Sequence, residues 1–382
     1  MNTVEKLKLL SSASKWDLCS SSASKRRVSG NNRVGAPAPA GVCKAFGPDG
    51  RCISLLKVLY TNSCIHDCKY CPNSTSCPNS RKAEFEPEEL AKLFMNYYVR
   101  NYVEGLFLSS GVGGDSDKSV ERIIDCARLI RRKYKFAGYM HLKVLPGVSR
   151  EHVNQLSELA DRVSINVEAP SKVRMHELSS TKDYNIDIER RLGWLGEKTR
   201  SGQIVSGHTT QFVLGANGES DYEYLKKMKW LYNDHALKRA YFSAFDPVPK
   251  TPLEKSAKVP LLREHRLYQA DWLLRIYKFG FNEVTSVLDD NGFLPIGVDP
   301  KEAFARANPE RFPVDVNRSS LDELLRVPGI GPVSAKRIVG LQRRRKRIKK
   351  TEELSRMGVV VKRAAPFIEV EGARQLSLGA FC

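Results

Sequence analysis

The feature that most constrains the fold is an alternation of short apolar runs with longer amphipathic segments, which begins near residue 52. Apolar runs of strand length that alternate with helix-length segments indicate βαβ units and a parallel sheet. The pattern predicts strands at 53–60, 105–109, 139–145, 162–167, 209–215 and 240–245. It predicts helices at 87–101, 119–134, 151–160, 187–198, 222–233 and 261–277. Six such units predict an α/β fold, a partial (β/α)6 barrel whose chemistry lies at the carboxyl ends of the strands. A doubly wound open sheet is the alternative.

Composition along the chain predicts four regions. Residues 1–50 are Ser-rich and basic, with a Gly-Ala-Pro stretch, and we expect an irregular N-terminal extension. The barrel is expected over 51–294, and a stretch rich in Pro, Gly and Asn at 295–313 predicts a domain boundary. Beyond it, residues 315–368 indicate a small domain of short helices only, and 369–382 form a tail.

The chain is strongly basic, with 62 Lys and Arg against 43 Asp and Glu, a formal charge of +19 and a pI near 9.5. Such a surface attracts a polyanion, of which nucleic acid is the commonest, although a solvated basic face is the alternative. The charge is uneven, because the run Arg343–Arg347 lies near the C-terminus. This concentration favours nucleic acid.

The sequence contains no apolar run long enough to span a membrane, and its polar start lacks the apolar stretch of a signal peptide. We therefore expect a cytoplasmic protein without a membrane partner. In that reducing compartment, nine cysteines indicate metal or redox chemistry rather than disulfides.

Three of the cysteines follow the first predicted strand closely. Cys64, Cys68 and Cys71 are separated by three and then two residues. Thiolates are the usual ligands of iron–sulfur clusters, and three of them on a four-iron cluster leave one iron open to a small chelating molecule. The alternatives are a zinc site completed by His66 or Cys77, or a chance grouping of cysteines.

This spacing, with an aromatic residue (Tyr70) before the last cysteine, resembles the signature of radical S-adenosylmethionine (SAM) enzymes. The resemblance covers roughly residues 50–290. It implies a 4Fe–4S cluster on Cys64, Cys68 and Cys71, with SAM chelating the open iron. One-electron reduction would then release methionine and a 5′-deoxyadenosyl radical that abstracts hydrogen from a substrate.

The same resemblance implies further contacts to the cofactor. Ser109, Ser110 and Gly111 match the segment that meets the amino group, although they depart from the common Gly-Gly-Glu form. Glu168 matches a position that contacts the ribose hydroxyls, and Asn166, in the same strand-end segment, is expected to contact the cofactor as well. Arg174 could pair with the carboxylate, because a guanidinium fork suits that partner, and Gly215 matches a motif near the adenine. For each residue the alternative is an ordinary loop or cap position.

The remaining cysteines have spacings that fit no ligand pattern. A second cluster or a metal staple is conceivable, but ordinary thiols are the expectation for most of them. We expect Cys126 to lie in the core beneath a helix and Cys382 to be exposed. The remaining cysteines are Cys19, Cys43, Cys52, Cys77, Cys126 and Cys382.

A second motif lies near the C-terminus, where Gly329-Ile330-Gly331 is followed by a proline and then by Lys336 and Arg337. It resembles a helix–hairpin–helix motif, which implies contacts from backbone N–H groups and these cations to DNA phosphates. A tight helical turn is the alternative. Residues 351–363 resemble a degenerate second hairpin that serves as a packing partner.

The two motifs together resemble a bacterial family of radical SAM proteins described as acting in DNA modification or repair. The expected partners are DNA, a reductase, flavodoxin or ferredoxin as electron donor, and a DNA-repair protein. A base inside a duplex would have to be flipped out or single-stranded. An RNA-modifying enzyme and a non-catalytic iron–sulfur protein that binds DNA or senses redox state are the alternatives. The sequence does not reveal the substrate atom.

Overall fold

The computed structural model describes residues 1–14, 39–46, 52–77, 81–371 and 373–374. They form two compact units, one of Met1–Glu219 with Lys226–Val259 and one of Ser220–Leu225 with Pro260–Cys382. The units therefore divide before the last predicted barrel helix, and the Pro-rich stretch 295–313 lies within the second unit, where it contains a helix over Pro300–Ala307.

The first unit contains a curled sheet whose strands follow chain order. Strand β1 is antiparallel to β2, and β2 to β7 are parallel to one another. The six predicted strands and the partial barrel are thus confirmed, although five of the strands end one to three residues earlier than predicted. The bounds are β1 Val42–Phe46, β2 Cys52–Leu59, β3 Gly105–Ser109, β4 Tyr139–Lys143, β5 Arg162–Ser164, β6 His208–Leu214 and β7 Arg239–Ala244.

Helices connect the strands, as the amphipathic segments predict. Helix α3 is representative, because Asp115 accepts the Lys118 N–H at its start while Val120, Ile123 and Ile124 are buried. A π-helical turn extends it over Leu129–Lys133, and another, Tyr184–Glu189, precedes α6. The bounds are α1 Thr3–Ala13, α2 Pro87–Val99, α3 Ser116–Arg128, α4 Arg150–Leu159, α5 Lys172–Leu178, α6 Arg190–Arg200 and α7 Asp221–Asp234.

The expectation of an irregular segment over 1–50 is wrong for the two ends of that segment, which form α1 and β1. Helix α1 is stabilised by a capping box between Asn2 and Glu5 and by an ion pair of 2.7 Å from Lys6 to Glu89. Its apolar stripe is short, with only Leu7 and Leu10 fully buried among its helical residues, so a periodicity search misses it. Strand β1 forms by pairing along the edge of β2.

The second unit is helical with a small sheet. Its core surrounds Ile330, Ile338, Leu354 and Val316, and Tyr277, two residues after the end of α8, packs against it. This contact joins the end of α8 to the core of the second unit. The bounds are α8 Leu261–Arg275, α9 Phe281–Thr285, α10 Pro300–Ala307, α11 Leu321–Arg326, α12 Pro332–Arg343, α13 Thr351–Arg356 and α14 Val361–Ala364.

The expectation of short helices only over 315–368 is wrong in one respect. Short strands β8 (Val314–Asp315), β9 (Ile368–Val370) and β10 (Ala373–Arg374) form a sheet in the order β10-β9-β8. Strands of two or three residues are too short to show an alternation in the sequence. In the part of the chain that the structure describes, none of the helices is long and apolar enough to cross a membrane.

Candidate active site and candidate nucleic-acid interface

The three spaced cysteines lie in the loop that follows β2, at the carboxyl ends of the parallel strands. The Cys71 N–H donates to the Cys68 carbonyl at 3.1 Å, which forms a tight turn between the two thiols. The Ile65 N–H donates to the Val112 carbonyl at 2.8 Å. The loop is therefore held against the segment that follows β3.

Gly111 is required by this contact. A Cβ atom at Gly111 would lie 2.2 Å from the Ser63 carbonyl oxygen, which no side chain can tolerate. The Gly111 N–H also donates to the Thr61 carbonyl at 2.8 Å. The predicted cofactor segment is thus in direct contact with the cysteine loop.

We call the cavity beside this loop the cysteine cavity; it is lined by Cys64, Cys68 and Cys71. It also brings together most of the predicted cofactor residues, namely Tyr70, Ser109, Ser110, Gly111, Asn166 and Glu168. Two predicted residues, Arg174 and Gly215, are not among those that line it. The Arg174 guanidinium instead donates to the Asn217 carbonyl at 3.0 Å and lies 3.5 Å from Glu177.

Asp67, between the first two cysteines, fastens the loop to residues 179–181. Its carboxylate accepts hydrogen bonds from the hydroxyls of Ser179 (2.6 Å), Ser180 (2.5 Å) and Thr181 (2.9 Å) and from the Ser180 N–H (3.1 Å). Burial opposes ionisation, but these hydrogen bonds outweigh it and hold the pKa of Asp67 well below its usual range. The sequence gives no sign of this contact, because the partners are more than 110 residues apart.

The contact brings Lys182, which the sequence analysis missed, to the wall of the cysteine cavity. Lys182 forms a hydrogen bond with Cys68. Burial disfavours its charge, but attraction to Cys68 and Glu168 prevails and raises its pKa. Tyr70 donates its hydroxyl to Glu168, and burial together with that carboxylate raises the pKa of Tyr70 well above its ordinary value. Lys182 and Glu168 thus place opposite charges beside the thiols.

The environment of the thiols suits a cluster. Burial raises the pKa of Cys68, and burial together with Cys68 raises the pKa of Cys71 to about 12. A bound metal would stabilise both as thiolates. Among the described residues, no three Cys, His, Asp or Glu side chains converge on a single-ion site. Ligands of a 4Fe–4S cube bind separate irons and need not meet at one point.

His66 also lines the cavity, with 7 % of its surface exposed. Its Nδ1 lies 3.1 Å from the Thr181 hydroxyl, while its buried Nε2 has no hydrogen-bond partner among the described residues. Burial and the nearby Lys182 lower the pKa of His66 to about 4, so the ring is neutral at pH 7. This buried, unpaired nitrogen fits a cavity built to hold a polar cofactor.

The other cysteines do not join this group. Cys52 begins β2 and Cys43 pairs within the β1–β2 hairpin, so about 26 Å of strand separates Cys52 from the cysteine loop. Cys77 is buried without lining the cavity, and Cys126 is buried in α3, as predicted. Cys19 and Cys382 lie outside the described residues.

The glycine hairpin, Gly329–Gly331, lies in the second unit between α11 and α12. Gly329 has a φ of +81°, and a Cβ there would lie 2.5 Å from the Val360 carbonyl oxygen. The Val360 N–H donates to the Gly329 carbonyl at 3.0 Å, and Arg337 donates to the Met357 carbonyl at 3.0 Å. The degenerate second hairpin thus packs on the first, as predicted, and Gly329 serves that packing.

Gly331 precedes the start of α12, where no side chain from the described residues forms a cap. The N–H groups at this helix end can donate hydrogen bonds to an anion. Lys336 is exposed, as are Arg343–Arg347. The Ile330 side chain, in contrast, is 1 % exposed and belongs to the core, so only its backbone can take part in the predicted DNA contact.

Lys301 supports this hairpin from α10 and was not predicted. Its side chain is buried, its Nζ donates to the Ile330 carbonyl at 2.6 Å, and the same atom lies 4.5 Å from the centre of the Tyr277 ring. Burial lowers the pKa of Lys301 to about 7. No motif in the sequence distinguishes this lysine from the many exposed ones.

Comparison with known families agrees with both regions. Residues 58–231 match the model described as the radical SAM superfamily, and residues 311–362 match that of a helix-hairpin-helix motif. The chain contains a radical SAM domain and a helix-hairpin-helix motif. The radical SAM superfamily consists of enzymes that use a 4Fe–4S cluster and SAM, so the predicted enzyme class and cofactors are confirmed. The match does not extend to a DNA modification or repair family.

No curated protein matches the chain. Among solved structures, the chain is similar to the FeFe-hydrogenase maturase HydG from Carboxydothermus hydrogenoformans, with 12 % identity and a TM-score of 0.46 over 58 % of this chain and 51 % of that one. Streptococcus suis SuiB is 11 % identical, with a TM-score of 0.40 over 56 % of this chain and 45 % of that one. Kitasatospora setae TsrM, a radical SAM methyltransferase, is 13 % identical, with a TM-score of 0.40 over 51 % of this chain and 35 % of that one. The chain thus spans about half of these proteins or less.

Proposed function

We propose that this protein is a radical SAM enzyme that cleaves SAM reductively and acts on DNA, in modification or repair. The observation that carries the proposal is the convergence of Cys64, Cys68 and Cys71 with the predicted cofactor residues on one cavity. The glycine hairpin and its basic surroundings in the same chain support DNA as the substrate.

In this proposal, Cys64, Cys68 and Cys71 hold the cluster. When bound, the reduced cluster would supply the electron for the reductive cleavage of SAM. Glu168, oriented by the Tyr70 hydroxyl, accepts hydrogen bonds from the ribose hydroxyls. Lys182 lies in the cavity where Arg174 does not, so it is the cation that pairs with the cofactor carboxylate.

The second unit holds nucleic acid through phosphates. Between residues 315 and 382 there are 15 Lys and Arg against seven Asp and Glu. No capping side chain from the described residues occupies the N–H groups at the start of α12, so these groups can donate to a phosphate. Lys336 adds positive charge one turn later. Such contacts position a protein on DNA without reading its sequence. We further propose a cytoplasmic location, a reductase, flavodoxin or ferredoxin as electron donor, and a DNA-repair protein as partner.

The test compares two equally buried cysteines, of which Cys68 lines the cavity and Cys77 does not. After anaerobic reconstitution, wild-type protein and Cys77→Ala should be brown, bind about four irons and release 5′-deoxyadenosine when reduced with SAM. Cys68→Ala should lose the cluster and the product together. Stoichiometric zinc without iron in protein purified anaerobically would show instead that the zinc alternative holds.

A further inference from the structure

A cavity of about 450 Å³ lies in the second unit beside the glycine hairpin. Its volume falls within the range of roughly 300–1,000 Å³ that is usual for small-molecule sites. The described residues that line it all belong to the second unit, and none of them lines the cysteine cavity. The chemistry proposed for the cysteine cavity therefore leaves this second cavity without a role.

Aromatic rings form a large part of the cavity wall. Tyr268 and Trp272 are four residues apart on α8, so they lie on the same face of that helix, and Tyr277 follows the helix. Trp272 is 48 % exposed, a large fraction for a side chain of this type. An indole that is half-exposed at the edge of a cavity offers a flat apolar surface on which a planar ring can stack.

The cavity shares residues with the expected phosphate contact. Gly331, the N-cap residue of α12, lines the cavity together with Ile330 and Gly329. A Cβ atom at Gly331 would lie 3.7 Å from the Tyr277 hydroxyl, so that hydroxyl lies beside the start of α12. A nucleotide whose phosphate binds at the hairpin can therefore place its base against the aromatic wall.

We propose that this cavity binds an unpaired base of DNA, which stacks on Trp272 while its phosphate binds at the glycine hairpin. This inference rests on the proposed function, since it takes the phosphate contact from there. The exposed Lys336 and the basic run Arg343–Arg347 favour a polyanion over an apolar peptide as the occupant. The face of a base is accessible only when the base is flipped out or single-stranded, so the cavity selects unpaired DNA.

The test measures the affinity of the anaerobically reconstituted full chain for one short DNA duplex in three forms. The first is fully paired, the second has one bulged thymidine, and the third has a bulged abasic residue in its place. Because stacking stabilises a bound base, the thymidine bulge should bind about 10-fold more tightly than the abasic bulge. The two bulged forms carry the same phosphates, so this ratio should stay constant while added salt lowers both affinities.

Two substitutions of Trp272 separate stacking from simple apolar contact. Trp272→Phe keeps an aromatic face and should retain a preference of about fivefold for the thymidine bulge, whereas Trp272→Leu should reduce it to about twofold or less. Both variants should bind the fully paired duplex within about threefold of wild type, because phosphate contacts supply that affinity. Ile276→Ala is the matched control, since Ile276 is 41 % exposed near the same helix end without lining the cavity, and it should keep the full preference.

The outcomes separate this inference from the proposed function. If wild-type protein binds none of the duplexes with a salt-dependent affinity, the DNA part of the proposed function fails. If it binds them without distinguishing thymidine from the abasic residue, or if Trp272→Leu keeps the distinction, only the base site is refuted. A preference that appears only when the bulged strand is RNA would overturn the choice of DNA as the occupant.

Discussion

Beside the cysteine loop the charged groups are held by hydrogen bonds or by opposite charges, whereas most of the basic residues near the glycine hairpin are exposed. Lys182, Glu168 and Asp67 each satisfy neighbouring groups within the first unit. The basic run Arg343–Arg347 and Lys336 face solvent in the second unit. Hydrogen-bonded networks act at short range and depend on geometry, while isolated exposed charges act additively and are screened by salt. The two regions should therefore respond differently to mutation and to ionic strength.

The largest expected effect concerns Asp67. In Asp67→Asn, the new amide protons would face the Ser180 N–H and hydroxyl donors, so part of the contact with residues 179–181 is lost. We expect the free energy of local opening to fall by about 2–3 kcal/mol, and hydrogen exchange in peptides covering 64–71 and 178–182 to accelerate about 30- to 100-fold at pH 7.

The pH dependence has a definite sign. The pKa of Asp67 is depressed in the folded protein, so its contribution is fully present above the unfolded pKa and is lost as pH falls through the folded value. Added salt should change this contribution of Asp67 little. Asp183→Asn is the matched control, because Asp183 caps Tyr184–Glu189 through the Ile186 N–H, a role that Asn also fills. Equal exchange rates in both variants would contradict this role of Asp67.

A smaller effect should separate two lysines near the hairpin. Lys336→Gln removes an exposed charge, so DNA affinity should fall about 3- to 10-fold and the slope of log affinity against log salt should shrink by about one. Lys301→Met removes the hydrogen bond to the Ile330 carbonyl but no phosphate contact. It should lower affinity by a similar factor and leave the slope unchanged.

The DNA affinities of the two variants are best compared at about pH 8.5. The folded pKa of Lys301 is about 7, so at that pH its side chain is mostly neutral and its replacement removes little charge. A slope that shrinks equally in both variants would place Lys301 among the phosphate contacts. A slope that shrinks in neither would remove the hairpin region from the DNA interface.

The sequence predicted local features well in both regions. The spacing of Cys64, Cys68 and Cys71 and the glycine hairpin depend only on residues close together in the chain. Six of the eight predicted cofactor residues other than the cysteines also reach the cavity, because strand ends of a parallel sheet meet at one edge.

The sequence could not show contacts between residues that are distant in the chain and meet only in the folded protein. Lys182, and Thr181 beside His66, follow a short helix that no periodicity marked, and Lys301 is one lysine among many. The choice of Arg174 as the cofactor's cation followed a general chemical preference, and tertiary structure placed that guanidinium against Asn217 instead. Burial, which makes these groups distinctive, is a property of packing and not of local sequence.

The most direct test of the central claim, that SAM cleavage at the cysteine cavity is directed at DNA, follows one hydrogen atom. Reduced, reconstituted protein is given SAM and bacterial genomic DNA deuterated at carbon, and the 5′-deoxyadenosine formed is analysed by mass spectrometry. A deuterium transferred from DNA should raise its mass by about one unit, because the radical abstracts hydrogen from its substrate. Unlabelled 5′-deoxyadenosine with deuterated DNA, or label that appears only with deuterated RNA, would contradict the account.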